Sequence, residues 1–228
     1  MKRLQAVAAI VFVLAFHGVA RAADSTGTAK SFATASLHLE QNATDGDFEI
    51  VVDVRAEEGL AKLVVLAPDG RAIIDFKAPP ETKLGMRQFR FETPEPEDLA
   101  SLKAVYPEGV YTFDGTTGGG TALHGKASLS HTLPAPSSVL DPSGARSVGL
   151  EDVEVTWTAV KGVAGYIMEI EQPDLGINIT TQVPASITRF TVPDAVLRAG
   201  RKYTLAIATV GENGNTSYIE TSFTTRAK

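Results

Sequence analysis

The sequence predicts an all-β protein of two β-sandwich domains, the first of which also contains one short helix. Three observations carry this prediction: apolar residues alternate with polar ones over short segments, turn-forming residues separate these segments, and a Pro- and Ser-rich stretch divides the chain. A length of 228 residues with 43% hydrophobic residues leaves room for two small folded domains.

The first 22 residues have the features of a signal peptide. Lys2 and Arg3 precede an apolar run from Ala6 to Phe16, and the small-x-small pattern Ala20-Arg21-Ala22 follows. The apolar run is shorter than the ~20 residues that cross a bilayer, so we expect cleavage rather than anchoring. The chain has no Cys, which excludes disulfides and a lipid-bearing cysteine and favours bacterial export. The expected location is periplasmic or secreted, with no membrane association after cleavage.

Residues 23–134 carry the period-two pattern of the first domain. Leu37 and Leu39 share one face of a strand, and Pro68-Asp69-Gly70 forms the turn of a hairpin. Strands are predicted at 36–40, 48–54, 63–66, 72–76, 88–92, 110–114 and 123–131.

One helix is predicted over residues 96–105. Leu99 and Leu102 have helical spacing, Thr93 or Glu95 stands near the expected start, and Pro107 ends the segment.

The stretch between Leu133 and Leu150 is rich in Pro, Ser and Gly, and we expect no packed element there. The resulting division is a signal peptide (1–22), a first domain (23–134), a linker with a first strand (135–150) and a second domain (151–228). The first domain has 17 acidic and 10 basic residues, so it is the more acidic half and the one expected to meet a cation. The acidic balance excludes nucleic acid as a partner.

The second domain has a recognisable set of aromatic and glycine positions. Trp157 shares a face with Val153 and Val155, Gly165-Tyr166 opens the next strand, and Leu197 lies six residues before Tyr203. Over residues of about 138 to 226 this pattern resembles the fibronectin type III family. The resemblance implies an immunoglobulin-like sandwich. In such a sandwich Trp157 fills the space between the sheets, and the Tyr203 hydroxyl bonds the backbone near Leu197.

Two departures from the family limit what can be carried over. Ala199 stands where the family often has Pro, and the Arg-Gly-Asp adhesion tripeptide is absent. The first half is more distantly similar to domains that precede fibronectin type III modules in exported bacterial proteins, a similarity that implies no activity.

Few residues suggest catalysis. His124 and His131 would lie on opposite faces of one strand, and His38 would point outward, so the three are not expected to form a metal site. No nucleophile elbow, metalloprotease motif, phosphate-binding loop or dinucleotide fingerprint occurs, so we expect a protein that is not an enzyme.

The loop at residues 40–49 is the one candidate metal site. Asn42, Asp45 and Asp47 could supply the oxygen ligands that calcium prefers, and we expect no cofactor other than calcium. The alternative is a turn in which the side chains bond their own backbone and Gly46 takes a positive φ.

Exposed aromatic rings would indicate sugar binding. Because Trp157, Tyr166 and Tyr203 are assigned to the core, the remaining tyrosine candidates are Tyr106, Tyr111 and Tyr218.

The function expected from the sequence is an exported, non-catalytic binding or spacer protein of the bacterial envelope or extracellular space. Its partner would be a protein or polysaccharide of the envelope. The alternatives are a calcium-stabilised adhesin, a carbohydrate-binding accessory module, and a hydrolase using acidic residues of the first domain.

Overall fold

The computed structural model describes residues 29–79, 84–94, 98–142, 147–151 and 153–227, so the predicted signal peptide lies outside the described residues. The protein is all-β. The strands are β1 (Lys30–Ser31), β2 (Thr34–Asn42), β3 (Asp47–Leu66), β4 (Ala72–Lys77), β5 (Met86–Glu92), β6 (Gly109–Thr117), β7 (Ala122–Leu129), β8 (Val139–Asp141), β9 (Ser147–Val148), β10 (Glu154–Trp157), β11 (Val163–Gln172), β12 (Ile177–Pro184), β13 (Arg189–Thr191), β14 (Lys202–Gly211) and β15 (Thr216–Thr225). Among the described residues α1 (Leu99–Val105) is the only α-helix.

The N-terminal domain is organised by the 20-residue strand β3. Its first half pairs with β2 and β5, and its second half pairs with β4 and β6, with a change of register between Arg55 and Leu60. The segments predicted at 48–54 and 63–66 are therefore the two ends of a single strand. Inward-facing apolar residues of β2, β3, β6 and β7 form one core, which includes Leu39, Ile50 and Phe113.

Helix α1 begins three residues later than the sequence predicts. Asp98 is the N-cap, and its Oδ1 accepts a hydrogen bond from Ser101 N at 2.7 Å. The expected role of Thr93 at the helix start is wrong, because Thr93 Oγ1 instead accepts a hydrogen bond from Ile50 N at 3.0 Å and extends the pairing of β5 with β3. Glu95 lies outside the described residues. Leu102 anchors the helix in the N-terminal core.

The C-terminal domain is a fibronectin type III-like sandwich. One sheet has the order β13-β10-β8, and the facing layer has the order β12-β11-β14-β15. Trp157 is 2% exposed and packs edge-on against Tyr166, with ring centroids 5.6 Å apart. The Tyr203 hydroxyl accepts a hydrogen bond from Arg198 N at 2.8 Å and lies 3.4 Å from Val196 O. The predicted packing of Trp157 and the predicted tyrosine corner are both confirmed.

The two domains share one sheet. Residues Glu40 to Asn42 of β2 pair in parallel with Thr216 to Tyr218 of β15, and this pairing joins the strands of the N-terminal domain to β15, β14, β11 and β12. The two cores remain separate sets of side chains. Where the domain boundaries fall along the chain stays a prediction.

The Pro- and Ser-rich stretch is packed at its start, so the expectation of no packed element is wrong there. Ser217 Oγ donates to Pro134 O at 2.8 Å, and Thr209 Oγ1 donates to Ala135 O at 2.8 Å. Ser137 Oγ donates to Thr158 O at 2.7 Å, after which strand β8 begins. The stretch therefore lies against the C-terminal domain.

The buried side chain of Asn215, in the C-terminal domain, forms hydrogen bonds across the junction between the two domains. It is 1% exposed, and its Oδ1 accepts a hydrogen bond from Leu39 N at 2.9 Å. Its Nδ2 donates to Ser130 O and to Thr132 O, each at 2.8 Å. One amide thus satisfies three backbone groups of the N-terminal domain and of the chain leaving it, in a place with little access to water.

Gly165 marks a place where only a glycine fits. The β12 backbone approaches so closely that a Cβ on residue 165 would lie 2.5 Å from Val183 O. We expect Gly165→Ala to lower the free energy of unfolding by about 1–3 kcal/mol, because the clash is with backbone rather than with a movable side chain. Gly149→Ala is the matched control, since a Cβ there has no neighbour nearer than 3.9 Å. Thermal melts of both variants test this; equal melting temperatures would contradict it.

Replacing Asn215 tests the coupling of the domains. We expect Asn215→Ala to lower the free energy of unfolding by about 2–4 kcal/mol, because it leaves buried backbone groups unpaired. We also expect calorimetry to resolve two melting transitions in the variant and one in the parent chain. Asn178→Ala is the control, because Asn178 is an exposed asparagine whose amide bonds two side chains, those of Glu171 and Thr180, and no backbone group among the described residues. A single unshifted transition for Asn215→Ala would refute the coupling.

Candidate functional site

A cleft opens between the two domains where β2 separates from β15. Its cavity volume is about 290 Å³. One wall comes from β2, β3, β5 and β7 of the N-terminal domain, and the other comes from β11, β12, β14 and β15 of the C-terminal domain. The cleft therefore exists only because the shared sheet sets the domains beside each other.

Strand alternation places charged side chains on the cleft side of the N-terminal domain. On β2, Leu37 and Leu39 are buried in the core, so His38 and Glu40 face the opposite side. Asp53 of β3 occupies the corresponding face of its own strand. The same pattern that builds the core thus also builds this wall.

Arg90 is the main cation of the wall. Its Nη1 lies 3.2 Å from Asp53 Oδ2, and its Nε lies 2.6 Å from Glu92 Oε1. Glu40 Oε2 lies 3.6 Å from His38 Nε2 and accepts a hydrogen bond from Thr216 Oγ1 at 3.1 Å. The last bond crosses from one domain to the other.

Carboxyl groups outnumber cations around the junction. We call Glu40, Glu49, Asp53, Glu92 and Glu169 the carboxyl cluster. Glu49 stands opposite Glu40 in the β2–β3 register, and Glu169 lies on β11 of the C-terminal domain. Like charges directly opposite each other on neighbouring strands are unfavourable. This repulsion favours the protonated, neutral form of some carboxyl groups in the cluster.

The pKa values of the cluster are pushed apart. Burial, followed by the charges of Glu40 and Glu92, raises the pKa of Glu49 to about 8. Burial, followed by the charge of Glu40, raises the pKa of Glu169 to about 7. Burial also raises the pKa of Glu40, but the hydrogen bond and charge of His38 and the charge of Arg90 outweigh it, so that pKa lies below its ordinary value. Glu40 is thus the carboxylate, and Glu49 retains its proton at neutral pH.

Burial also raises the pKa values of two further groups, Asp53 and Tyr218. Burial raises the pKa of Asp53 despite the opposing charge of Arg90. Burial, with Glu40 and Glu169 nearby, raises the pKa of Tyr218 well above its ordinary value, so its hydroxyl stays neutral.

The loop predicted to bind calcium forms an Asx turn. Asn42 Oδ1 accepts a hydrogen bond from Thr44 N at 3.0 Å, and Gly46 has a φ of +81°. Asn42 Nδ2 donates to Glu220 Oε1 at 3.0 Å and lies 3.5 Å from Asp45 Oδ2. Among the described residues no three His, Cys, Asp or Glu side chains form a group suited to a metal ion. Calcium binding by Asn42, Asp45 and Asp47 stays a prediction.

The three histidines have different neighbours. His131 lies beyond the end of β7, with Nε2 2.8 Å from Tyr106 O, so the prediction that it shares a strand with His124 is wrong. His124 Nδ1 lies 2.8 Å from Asp114 Oδ1. His38 was expected to point outward to the surface, but its side chain is 14% exposed and lines the cleft. The second domain covers a face that would otherwise meet solvent.

Of the three tyrosines predicted to be free for sugar binding, only one lines the cleft. Tyr111 is fully buried in the N-terminal core, and Tyr106 packs against that core. Tyr218 is half-buried and lines the cleft. Sequence reasoning missed Arg90 and Glu169; the signal available for Arg90 was its polar position between the inward-facing Phe89 and Phe91.

No protein-family model matches the sequence, and no curated protein matches it. Solved structures that are similar to it include the FN1–FN3 domains of chicken CNTN1 (12% identity, TM-score 0.35, 86% of this chain and 64% of that one). A two-domain fibronectin type III segment of chicken tenascin is 17% identical, with a TM-score of 0.33 over 86% of this chain and 98% of that one. The BSP domain of a biofilm-associated protein is 16% identical, with a TM-score of 0.29 over 86% of this chain and 29% of that one. These values are too low to carry a binding property to this chain.

No helix within the described residues has both the length and the apolar character of a membrane span.

The carboxyl cluster predicts that stability falls as pH rises. Above a pH of about 4.5 the unfolded chain releases the protons of Glu49 and Glu169, whereas the folded protein retains them to about 8 and about 7. The folded state then binds more protons, so the free energy of unfolding decreases between about pH 5 and pH 8. We expect a loss on the order of 1–2 kcal/mol per group, because Glu49 and Glu169 are only half-buried and water weakens the effect.

Urea denaturation at several pH values measures this slope. Glu49→Gln and Glu169→Gln should each flatten it, while Glu212→Gln, in the exposed turn between β14 and β15, should leave it unchanged. A slope that is the same in all four proteins would disprove the assignment.

Proposed function

We propose that this chain is an exported, non-catalytic binding protein whose binding surface is the cleft between its two domains. One observation carries the proposal: both walls of the cleft are fixed before any ligand arrives. The β2–β15 pairing and the buried amide of Asn215 set their separation. Preformed concave sites lose less conformational freedom on binding than mobile ones, which favours affinity.

The wall supports binding more readily than bond cleavage. Arg90 is engaged by Asp53 and Glu92, and His38 lies beside Glu40. General acids and bases need to reach a substrate proton directly, and these groups are directed at one another. The hydrolase alternative would instead use Glu40 and Glu49, because their pKa values are pushed apart as in acid–base pairs. Polysaccharide hydrolysis that is lost in Glu49→Gln would favour that alternative.

The proposal has two further parts. The protein is exported to the periplasm or the cell exterior, and its partner is a protein or polysaccharide of the envelope. The positively charged start, the apolar run and the small-x-small pattern support export. If they are read as a signal, the mature chain begins at Ala23.

Processing and export can be tested together. Expressed with its own N-terminus in a Gram-negative host, the protein should appear in the periplasm or medium, and mass spectrometry should find Ala23 as its first residue. Ala22→Arg should accumulate unprocessed, because signal peptidase requires a small residue before the cut. An intact chain of 228 residues in the cytoplasm would overturn the export part of the proposal.

Binding through the cleft has its own test. Ser128 of β7 and Gln182 of β12 are exposed residues on opposite walls, so Ser128→Trp and Gln182→Trp fill the cavity without altering either core. We expect saturable retention of the mature protein on isolated envelope fractions, reduced at least tenfold in both variants. Val105→Trp, at a position that is 48% exposed on α1 and does not line the cleft, is the control. Retention that both cleft variants preserve would place the binding surface elsewhere.

A further inference from the structure

We propose that the ligand of the cleft is a neutral saccharide. This inference rests on the proposed function, because it names the chemical class that the same cleft would take.

The size and apolar part of the cleft suit a sugar ring. A cavity of about 290 Å³ lies at the lower end of the range for small-molecule sites. Ile167 and Val210 of the C-terminal domain supply apolar wall, and Tyr218 supplies an aromatic ring. Sugar rings have apolar C–H faces that pack against aromatic and aliphatic surface, while their hydroxyl groups point outward from the ring edge.

The neutral polar groups of the wall are the ones left free. Among the described residues, the side chains of Ser36, Ser128, Gln182 and Tyr218 line the cleft and make no hydrogen bond to another described residue. They offer three hydroxyls and one amide, each able to donate and to accept. Ser36 and Ser128 stand on the N-terminal wall, and Gln182 and Tyr218 on the C-terminal wall, so a ligand with hydroxyls around a ring could reach both.

The charged groups of the wall are already matched. Asp53 is paired with Arg90, and Glu40 is engaged by His38 and Thr216. A cationic ligand would have to compete with these partners for a carboxylate. An anionic ligand would meet the surplus negative charge of the carboxyl cluster. A hydrocarbon would leave the free hydroxyls and amide without hydrogen-bond partners, which is unfavourable. A neutral polyhydroxylated ligand avoids all three penalties.

Isothermal titration of the mature full chain tests the ligand class. The probes are glucose, galactose, mannose, N-acetylglucosamine, maltose and cellobiose, with spermidine and glucuronate as charged comparisons. We expect saturable binding of at least one neutral sugar and weaker binding of both charged probes. Gln182→Ala and Tyr218→Ala should each weaken the sugar at least tenfold, whereas Tyr218→Phe should weaken it less than Tyr218→Ala because it retains the ring. Asn178→Ala is the control outside the cleft.

The outcomes separate this inference from the function on which it rests. If no neutral sugar binds, or if spermidine or glucuronate binds more tightly, the ligand class is wrong. If in that case Ser128→Trp and Gln182→Trp still abolish envelope retention, the binding function stands without it. If retention also survives in those variants, both proposals fail. Should Tyr218→Ala not fold, by circular dichroism, the exposed Gln182→Ala decides alone, and an unchanged affinity there overturns the sugar site.

Discussion

The parallel pairing of three residues in β2 with three in β15 is the constraint on which the rest of the structure depends. Parallel pairing of so few residues is weak in isolation, because each backbone bond contributes only about 0.5–1.5 kcal/mol net. It is sustained by Asn215, whose buried amide bonds backbone groups at residues 39, 130 and 132 at once. Without that amide three backbone groups would be left without hydrogen-bond partners. Because the amide satisfies all three only in this geometry, the two domains have one strongly preferred arrangement.

This arrangement has an electrostatic cost. Joining two sheets edge to edge places Glu40 of the first domain near Glu169 of the second, and both faces were already acidic. Arg90 is already paired with Asp53 and Glu92 and does not neutralise the remaining carboxyl groups. Glu49 and Glu169 instead keep their protons, because their pKa values are raised. The junction is therefore most stable at a pH where Glu49 and Glu169 keep their protons.

The sequence predicts what lies within one domain far better than what lies between two. Alternation located Leu37 and Leu39, because burial within a sandwich leaves a periodic side-chain signal. The resemblance to the fibronectin type III family gave the roles of Trp157 and Tyr203. The middle of β3 was missed because Arg55 and Glu57 are exposed where the strand bends, and charge there resembles a loop. The β2–β15 pairing leaves no such signal. Its bonds are between backbones, and it joins residues 176 positions apart, such as Glu40 and Thr216.

Tyr218 shows why the site could not be read from the sequence. Its neighbour Ile219 points into the C-terminal core, so alternation correctly places Tyr218 on the outer face of β15. In a single fibronectin type III-like domain that face meets water, and a tyrosine there carries no special meaning. Here the N-terminal domain stands beside it, which turns an exposed ring into part of a cleft wall. The binding surface is thus a property of how the two domains are joined, and neither domain possesses it alone.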